Sequence, residues 1–255
     1  MMRLAYVLAL PLAVLLVVAC GGGAEEPPDP DSFSDGLTAE EILERSNEAR
    51  DDVHLFRIRE SKSRDFLGIE LSSITESVVA FENVYTVTDS ESNIGDLHIE
   101  ILYLDEAGYS RESADDNWET IEDLDVFLTI RSAVDESLRI VEPGDSQSVR
   151  LRDGEIDGMT MMRVRKNTTE RSDTDALLNE LCGELDEIEC LPPSLIPNEM
   201  ESEMIGWYGA DDFLPYRLEL DSVGRRDGEV VFELETVSEI SDYGERIVMP
   251  NPLAN

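Results

Sequence analysis

Apolar residues recur at every second position in four separate stretches of this 255-residue chain. The stretches are His54 to Arg59, Leu97 to Leu104, Leu214 to Asp221 and Glu229 to Glu235. Neighbouring side chains of a strand point to opposite faces, so each stretch predicts a strand with one buried face and one wet face. Such strands are typical of antiparallel sheets. Short connections that suit hairpins stand at Glu106-Ala107-Gly108, at Asp153-Gly154 and at Gly224 to Gly228, and together they predict a meander.

A helix is predicted to begin after Thr38. Thr38-Ala39-Glu40-Glu41 has the form of a capping box, and Leu37 is placed to contact Ile42 from outside the helix. Apolar and small residues then recur at helical spacing at Ile42, Ser46, Ala49 and Val53. Two more helical stretches are expected at Ile121 to Val134 and at Ser172 to Leu185. A twisted antiparallel sheet with all its helices on one side is an α+β architecture.

The charge of the chain is strongly negative, with 20 Lys and Arg against 58 Asp and Glu. Nucleic acids and anionic bilayer surfaces both need cations facing them, so neither polyanion is expected as a partner. Lys occurs only at positions 62 and 166, and we attribute this to genome composition or salt adaptation. The acidic excess is expected to be a solvated surface, with divalent cations or a cationic partner as the alternatives.

The N-terminus reads as an export signal. An apolar run from Leu4 to Val18 follows Arg3, and it is short for a permanent membrane anchor. Leu16-Val17-Val18-Ala19-Cys20-Gly21 resembles the lipobox of bacterial lipoproteins, which implies cleavage after residue 19 and a lipid on Cys20. The alternative is an uncleaved signal anchor.

Three segments are therefore expected: a signal peptide at 1–19, a lipidated and flexible acidic linker at 20–36, and one folded domain at 37–255. If Cys20 carries lipid, Cys182 and Cys190 remain and can pair as a local disulfide outside the cytoplasm. Two thiols with no neighbouring His or third Cys make a poor zinc site.

No catalytic motif is present. The two histidines, His54 and His98, are each expected in a strand as surface or hydrogen-bonded residues, far from any metal-ligand spacing. Gly-x-Ser-x-Gly, His-Glu-x-x-His and phosphate-binding glycine loops are absent. A calcium-like series at Asp89, Glu91, Asn93 and Glu100 lacks the glycine that its sharp turn requires, because Ile94 stands there. We expect no enzyme activity, no metal and no cofactor.

A series of short motifs resembles the periplasmic lipid-carrier superfamily of LolA, LolB and the LppX/LprG-type lipoproteins. The motifs are Leu37 to Leu43, the strand Phe56 to Arg59, Gly108-Tyr109 with Trp118, Asp157-Gly158-Met159, Ile205 to Tyr208, Leu214 to Arg217 and Ile240 to Gly244. The resemblance implies a curved antiparallel sheet, a half-barrel, with a few helices covering its concave face. Acyl chains would enter between sheet and helices. The Ser172 to Pro193 segment departs from the simplest carriers and is expected to be a stapled insertion, with a lid as the alternative.

Ten residues are candidates for the ligand groove: Phe56, Ile58, Ile99, Ile101, Tyr103, Trp118, Phe127, Trp207, Leu218 and Phe232. Each is alternatively an ordinary core residue.

The expected function is that of a membrane-anchored extracytoplasmic lipoprotein that binds or carries a lipid or another hydrophobic ligand. Its partners would be the membrane, through lipid on Cys20, and an amphiphile, with an envelope protein as a further partner. The alternatives are a non-catalytic sensor or partner-binding lipoprotein of the same fold and, last, a hydrolase with an unrecognised carboxylate pair.

Overall fold

The computed structural model describes residues 33, 35–66, 69–93, 95–105, 107–121, 148–171 and 197–252. These residues form one helix and eleven strands. The elements are α1 (Ala39–Asp51), β1 (Leu55–Phe66), β2 (Ile69–Ala80), β3 (Asn83–Ser92), β4 (Leu97–Leu104), β5 (Ala107–Arg111), β6 (Glu119–Ile121), β7 (Ser148–Ile156), β8 (Met159–Arg171), β9 (Glu199–Gly209), β10 (Pro215–Arg226) and β11 (Glu229–Ser241).

Helix α1 begins where the capping box predicted. The Glu41 backbone N–H donates to Thr38 Oγ1 at 3.2 Å, and the Thr38 backbone N–H donates to Glu41 Oε2 at 2.9 Å. Two of the amide groups that a helix start leaves without partners are thereby satisfied. Ile42, Leu43 and Ser46 are buried on the sheet side of the helix.

All eleven strands lie in one sheet in the order β6-β5-β4-β3-β2-β1-β11-β10-β9-β8-β7. Strands β1 to β6 form one meander and β7 to β11 form another, and the pairing of β1 with β11 joins them. Every pairing is antiparallel. The expected α+β fold, a curved half-barrel of antiparallel strands, is confirmed.

The sheet has two distinct faces. We call the face on which α1 packs the inner face and the opposite one the outer face. Buried residues of α1 form one hydrophobic cluster with inner-face residues of β1, β2, β3, β8, β9, β10 and β11. Ile42 is fully buried in this cluster, and Phe56 and Ile58 of β1 are buried with it. Hydrophobic burial of this kind, more than helix propensity, stabilises a helix of this length.

The expected connection at Asp153-Gly154 is wrong. Both residues lie inside β7, where the register with β8 shifts, and the hairpin turns at Asp157-Gly158 instead. Both turn residues have positive φ, as a two-residue type I′ turn requires. Gly154 leaves room for Trp207 instead, because a Cβ at residue 154 would stand 2.4 Å from the Trp207 ring.

Other boundaries differ by small amounts. His54 precedes β1 and stacks on Phe81 at 5.8 Å, so it does not lie within the strand. Ile121 ends β6, and the rest of the expected helix to Val134 lies outside the described residues, as does the helix expected at Ser172 to Leu185. Within the expected 224–228 connection, the turn is at Asp227-Gly228 and Gly224 belongs to β10.

The chain before α1 is fixed to the edge strand β7 by Arg150. The Arg150 guanidinium donates to both carboxylate oxygens of Asp35, at 2.5 and 2.8 Å, and to the carbonyl oxygen of Leu37 at 3.0 Å. It also donates to Asp153 at 3.0 Å and lies 3.8 Å from the ring centre of Phe33. We call this group the Arg150 clamp. The clamp places the last residues of the expected flexible linker against the domain.

Candidate ligand-binding site on the inner face

Seven of the ten groove candidates share the inner face of the sheet. They are Phe56, Ile58, Ile99, Ile101, Tyr103, Leu218 and Phe232. Trp118 and Trp207 lie on the outer face, and Phe127 lies outside the described residues. The two tryptophans therefore do not share a groove with the other seven.

The end of the inner face nearest α1 is closed. Phe56, Ile58 and Leu218 pack in the α1 cluster with exposures of 4%, 5% and 7%. These three residues are core in the described structure. Ile99, Ile101 and Phe232 are equally buried but lie outside this cluster.

Tyr208 and Gly206 are in close contact at the end of β9 that packs in the α1 cluster. The Tyr208 side chain is fully buried, and a Cβ on Gly206 would stand 2.4 Å from its hydroxyl oxygen. The ring therefore occupies the space above residue 206, which only glycine leaves empty. No described residue bonds to the Tyr208 hydroxyl, and burial raises the pKa of Tyr208, so the hydroxyl stays neutral.

Beyond Ile58 the inner face becomes polar. The next inner-face positions of β1 are Glu60, Lys62 and Arg64, and Lys62 Nζ lies 2.5 Å from Glu60 Oε1. Hydroxyls dominate the neighbouring strands. Side-chain pairs bond across β2 and β3 at Thr75–Thr88, 3.2 Å, and at Ser77–Thr86, 3.1 Å.

An open cleft of about 1020 Å³ lies at the end of the sheet away from α1. Its walls come from β1, β2, β10, β11 and the β3–β4 turn. Arg64, Leu71 and Leu234 bring the inner face to the cleft, and seven carboxylates border it: Asp65, Glu70, Glu91, Asp96, Asp221, Glu233 and Glu235. Burial raises the pKa of Asp221, and the nearby Glu235 and Glu219 raise it further. The cleft has the volume of a small-molecule site and a negative rim.

The outer-face tryptophans are held by arginines. Arg163 lies 4.5 Å above the Trp207 ring, and Arg111 lies 4.5 Å above the Trp118 ring. Contacts of this kind are electrostatic attractions to the ring face. They hold both indole rings against the outer face of the sheet.

Arg111 also belongs to a buried polar group around Glu100. Arg111 donates to Glu100 Oε2 at 2.8 Å and Tyr85 donates to the same oxygen at 2.5 Å. Burial opposes the charge of Glu100, but these bonds hold its pKa below the ordinary value. Burial, reinforced by Glu100, raises the pKa of Tyr85 to about 12. The arrangement is a buried ion pair between Arg111 and Glu100, reinforced by the Tyr85 hydroxyl.

The remaining predicted site residues, Cys20, Cys182 and Cys190, lie outside the described residues. In the ranges that the structure describes, no group of three or more His, Cys, Asp or Glu side chains is placed to hold a metal ion. Over the same ranges, no helix is long and apolar enough to cross a membrane.

The polar part of the inner face is not predicted from the sequence. Lys62 and Lys166, the two lysines of the chain, both lie on it. The sequence shows only that lysine is rare, and the pairing of the strands is needed to place both residues on one face.

No protein-family model matches the chain, and no curated protein matches its sequence. Solved structures do match its fold. LprF from Mycobacterium bovis shares 13% identity with a TM-score of 0.50, over 89% of this chain and 99% of LprF. The lipoprotein LppX from Mycobacterium tuberculosis shares 12% identity with a TM-score of 0.42, over 82% of this chain and 97% of LppX. A LolA-superfamily protein from Nitrosomonas europaea shares 12% identity with a TM-score of 0.26, over 84% and 96% of the two chains. The fold that the resemblance implied is thus confirmed, and the chain has the fold seen in the LprF structure.

Proposed function

We propose that this protein is a membrane-anchored extracytoplasmic lipoprotein that holds a lipid or another hydrophobic ligand on the inner face of its sheet, without catalysing a reaction. One observation carries the proposal. Helix α1 closes only one end of the inner face, and the face continues to an open cleft of about 1020 Å³ bordered by Leu71 and Leu234. The cleft gives the inner face an open end, and its volume is that of a small-molecule site.

The anchor is the second part of the proposal. The lipobox-like run ending in Cys20 supports export, cleavage after residue 19 and lipid on Cys20. The 20–36 segment then joins the anchor to the 37–255 domain, and Cys182 and Cys190 pair as a disulfide outside the cytoplasm. Labelling with a radioactive fatty acid tests the anchor, since Cys20→Ser should abolish incorporation. A count of free thiols in the unfolded, unreduced protein tests the disulfide, and zero thiols from Cys182 and Cys190 are expected.

Mass spectrometry of organic extracts from the purified protein tests ligand binding. We expect a stoichiometric hydrophobic molecule in the wild type and less of it in Leu234→Trp, which adds bulk to the cleft. The matched control is Val237→Trp, three residues along β11 on the outer face. It should retain the ligand. Well-folded protein that contains no hydrophobic molecule in any of the three preparations contradicts the proposal and favours the partner-binding alternative.

A further inference from the structure

The two lysines of the chain face the same row of the inner surface. Lys62 of β1 pairs with Thr236 of β11, and the same row continues through Leu220 and Met204 to Lys166 of β8. The lysines are four strands apart, about 19 Å along the sheet at the usual strand spacing. A separation of this size is too large for one phosphate or carboxylate group to contact both lysines. Arg64 lies in the next row, two residues along β1 from Lys62.

Two of these cations have no salt bridge. Lys62 is paired with Glu60, whereas Arg64 and Lys166 make no hydrogen bond or ion pair within the described residues. Both are partly buried. Burial lowers the pKa of Lys166, and burial lowers the pKa of Arg64 against the attraction of Glu60. Three cations and one carboxylate leave a local excess of positive charge inside a protein whose net charge is −38.

Buried hydroxyls in the same rows also have no bonding partner. Ser202 is fully buried and Thr236 is 6% exposed, and neither side-chain oxygen bonds to any residue that the structure describes. Thr168 Oγ1, opposite Ser202 on β8, is in the same condition. Thr236 neighbours Lys62, and Ser202 lies in the row of Arg64. Polar atoms buried without partners are unfavourable unless a ligand satisfies them.

We propose that the β8–β9 end of these rows binds the anionic group, a phosphate or carboxylate, of an amphiphile held by the inner face, with Lys166 as the cation and Ser202 and Thr168 as hydrogen-bond donors. These three residues are neighbours, because Thr168 lies two residues along β8 from Lys166 and pairs with Ser202 of β9. This inference rests on the proposed function and names the class of ligand. Met204 is next to Lys166 in its row and Leu220 is next to Met204, so apolar contacts adjoin the cation there. A ligand with an anionic end and an aliphatic chain matches both kinds of contact.

Hydrophobic burial distinguishes an amphiphile from a free anion at this site. An inorganic phosphate ion gains nothing from the aliphatic residues Leu220 and Met204, and the net charge of −38 repels small anions. An amphiphilic phosphate gains from hydrophobic burial in addition to the cations. Free phosphate should therefore bind far more weakly than an alkyl phosphate.

Calorimetry on the purified full chain, stripped of bound hydrophobic molecules, tests the inference with three probes: hexadecyl phosphate, hexadecanol and inorganic phosphate. We expect hexadecyl phosphate to bind about tenfold or more tightly than hexadecanol, as one charge-assisted contact provides. Lys166→Gln should remove most of that preference. The matched control is Arg217→Gln, an outer-face arginine that is paired with Glu219, and it should keep the preference.

The possible results separate the two proposals. If hexadecanol and hexadecyl phosphate bind equally, or if Lys166→Gln behaves like Arg217→Gln, the anionic-group site is wrong while the proposed function stands. If neither alkyl probe binds, the proposed function fails first. If inorganic phosphate alone binds, the site takes free anions and the amphiphile is wrong. Should a variant fail to fold, the salt dependence of wild-type binding replaces it: added NaCl should weaken hexadecyl phosphate binding and leave hexadecanol binding unchanged.

Discussion

The Arg150 clamp gives a stability prediction that can be worked from the contacts. Asp35→Asn keeps the shape of the side chain and removes the negative charge that faces Arg150. Breaking a fully buried ion pair costs about 3–5 kcal/mol, because the remaining charge is left without a partner. Here the Arg150 side chain is 4% exposed but that of Asp35 is 37% exposed, and Asp153 still contacts the guanidinium. We therefore expect a loss of about 1–2 kcal/mol in the free energy of unfolding.

Arg150→Met should cost more, about 2–3 kcal/mol. It removes the bonds to Asp35, Asp153 and the Leu37 carbonyl together with the contact to the Phe33 ring. The double variant should be less destabilised than the sum of the two single variants by about 1 kcal/mol, since each single change breaks the same pair.

Urea unfolding followed by circular dichroism at pH 7 measures these differences. The matched control is Asp211→Asn, an exposed aspartate in the β9–β10 connection, which should stay within about 0.5 kcal/mol of the wild type. If Asp35→Asn is indistinguishable from Asp211→Asn, or if the two clamp variants are additive, the clamp does not stabilise the domain and the reasoning is refuted.

The loss of stability caused by Asp35→Asn also depends on pH. The bond from Arg150 holds the pKa of Asp35 below its ordinary value of 3.8, and burial opposes this only in part. A carboxylate whose folded-state pKa is lowered adds stability above its unfolded pKa and loses it as the pH falls through the folded pKa. The difference between wild type and Asp35→Asn should be full at pH 5 to 7 and should shrink below about pH 3.8.

Three further predictions concern single side chains. Tyr208→Phe should leave stability unchanged or raise it by up to about 1 kcal/mol in thermal unfolding, because it removes a buried hydroxyl that no described residue bonds; a loss above that size would contradict this. Gly206→Ala should lower stability by about 1–3 kcal/mol in urea unfolding, because its Cβ would stand 2.4 Å from the Tyr208 hydroxyl, and an unchanged stability would contradict this. The bond to Asp89 raises the pKa of His98, so Asp89→Asn should lower that pKa in an NMR titration, and an unchanged value would rule the bond out.

The sheet could be predicted where its inner face is apolar. Leu97 to Leu104 alternates along its whole length, and β4 has those same bounds. In β1 the alternation stops after Ile58, because Glu60, Lys62 and Arg64 continue the inner face with polar residues. A strand that is polar on both faces has no period-two signal, so the second half of β1 was not predicted.

The site was harder to predict for a related reason. Trp207 and Tyr208 are adjacent aromatics, and alternation requires them to lie on opposite faces of β9 without saying which one faces inward. Only the pairing of β9 with β8 and β10 shows that Tyr208 is the one that faces inward. The grouping of Lys62 with Lys166 likewise depends on a row that crosses five strands, and no local pattern records it.

The clamp also limits how far the domain can travel. Thirteen peptide bonds separate Cys20 from Phe33, where the clamp begins, and such a length spans at most about 45 Å in any conformation. If lipid holds Cys20 in a membrane, the domain samples a half-sphere of that radius, which corresponds to a local concentration in the millimolar range for anything on the same surface. Opening the clamp would free the chain up to Thr38, where α1 is capped, and would add about 17 Å to the reach. On the proposed anchor, the Asp35–Arg150 contact would therefore set how far the inner face can lie from the membrane, and a change that breaks it would lengthen that reach before it unfolds the domain.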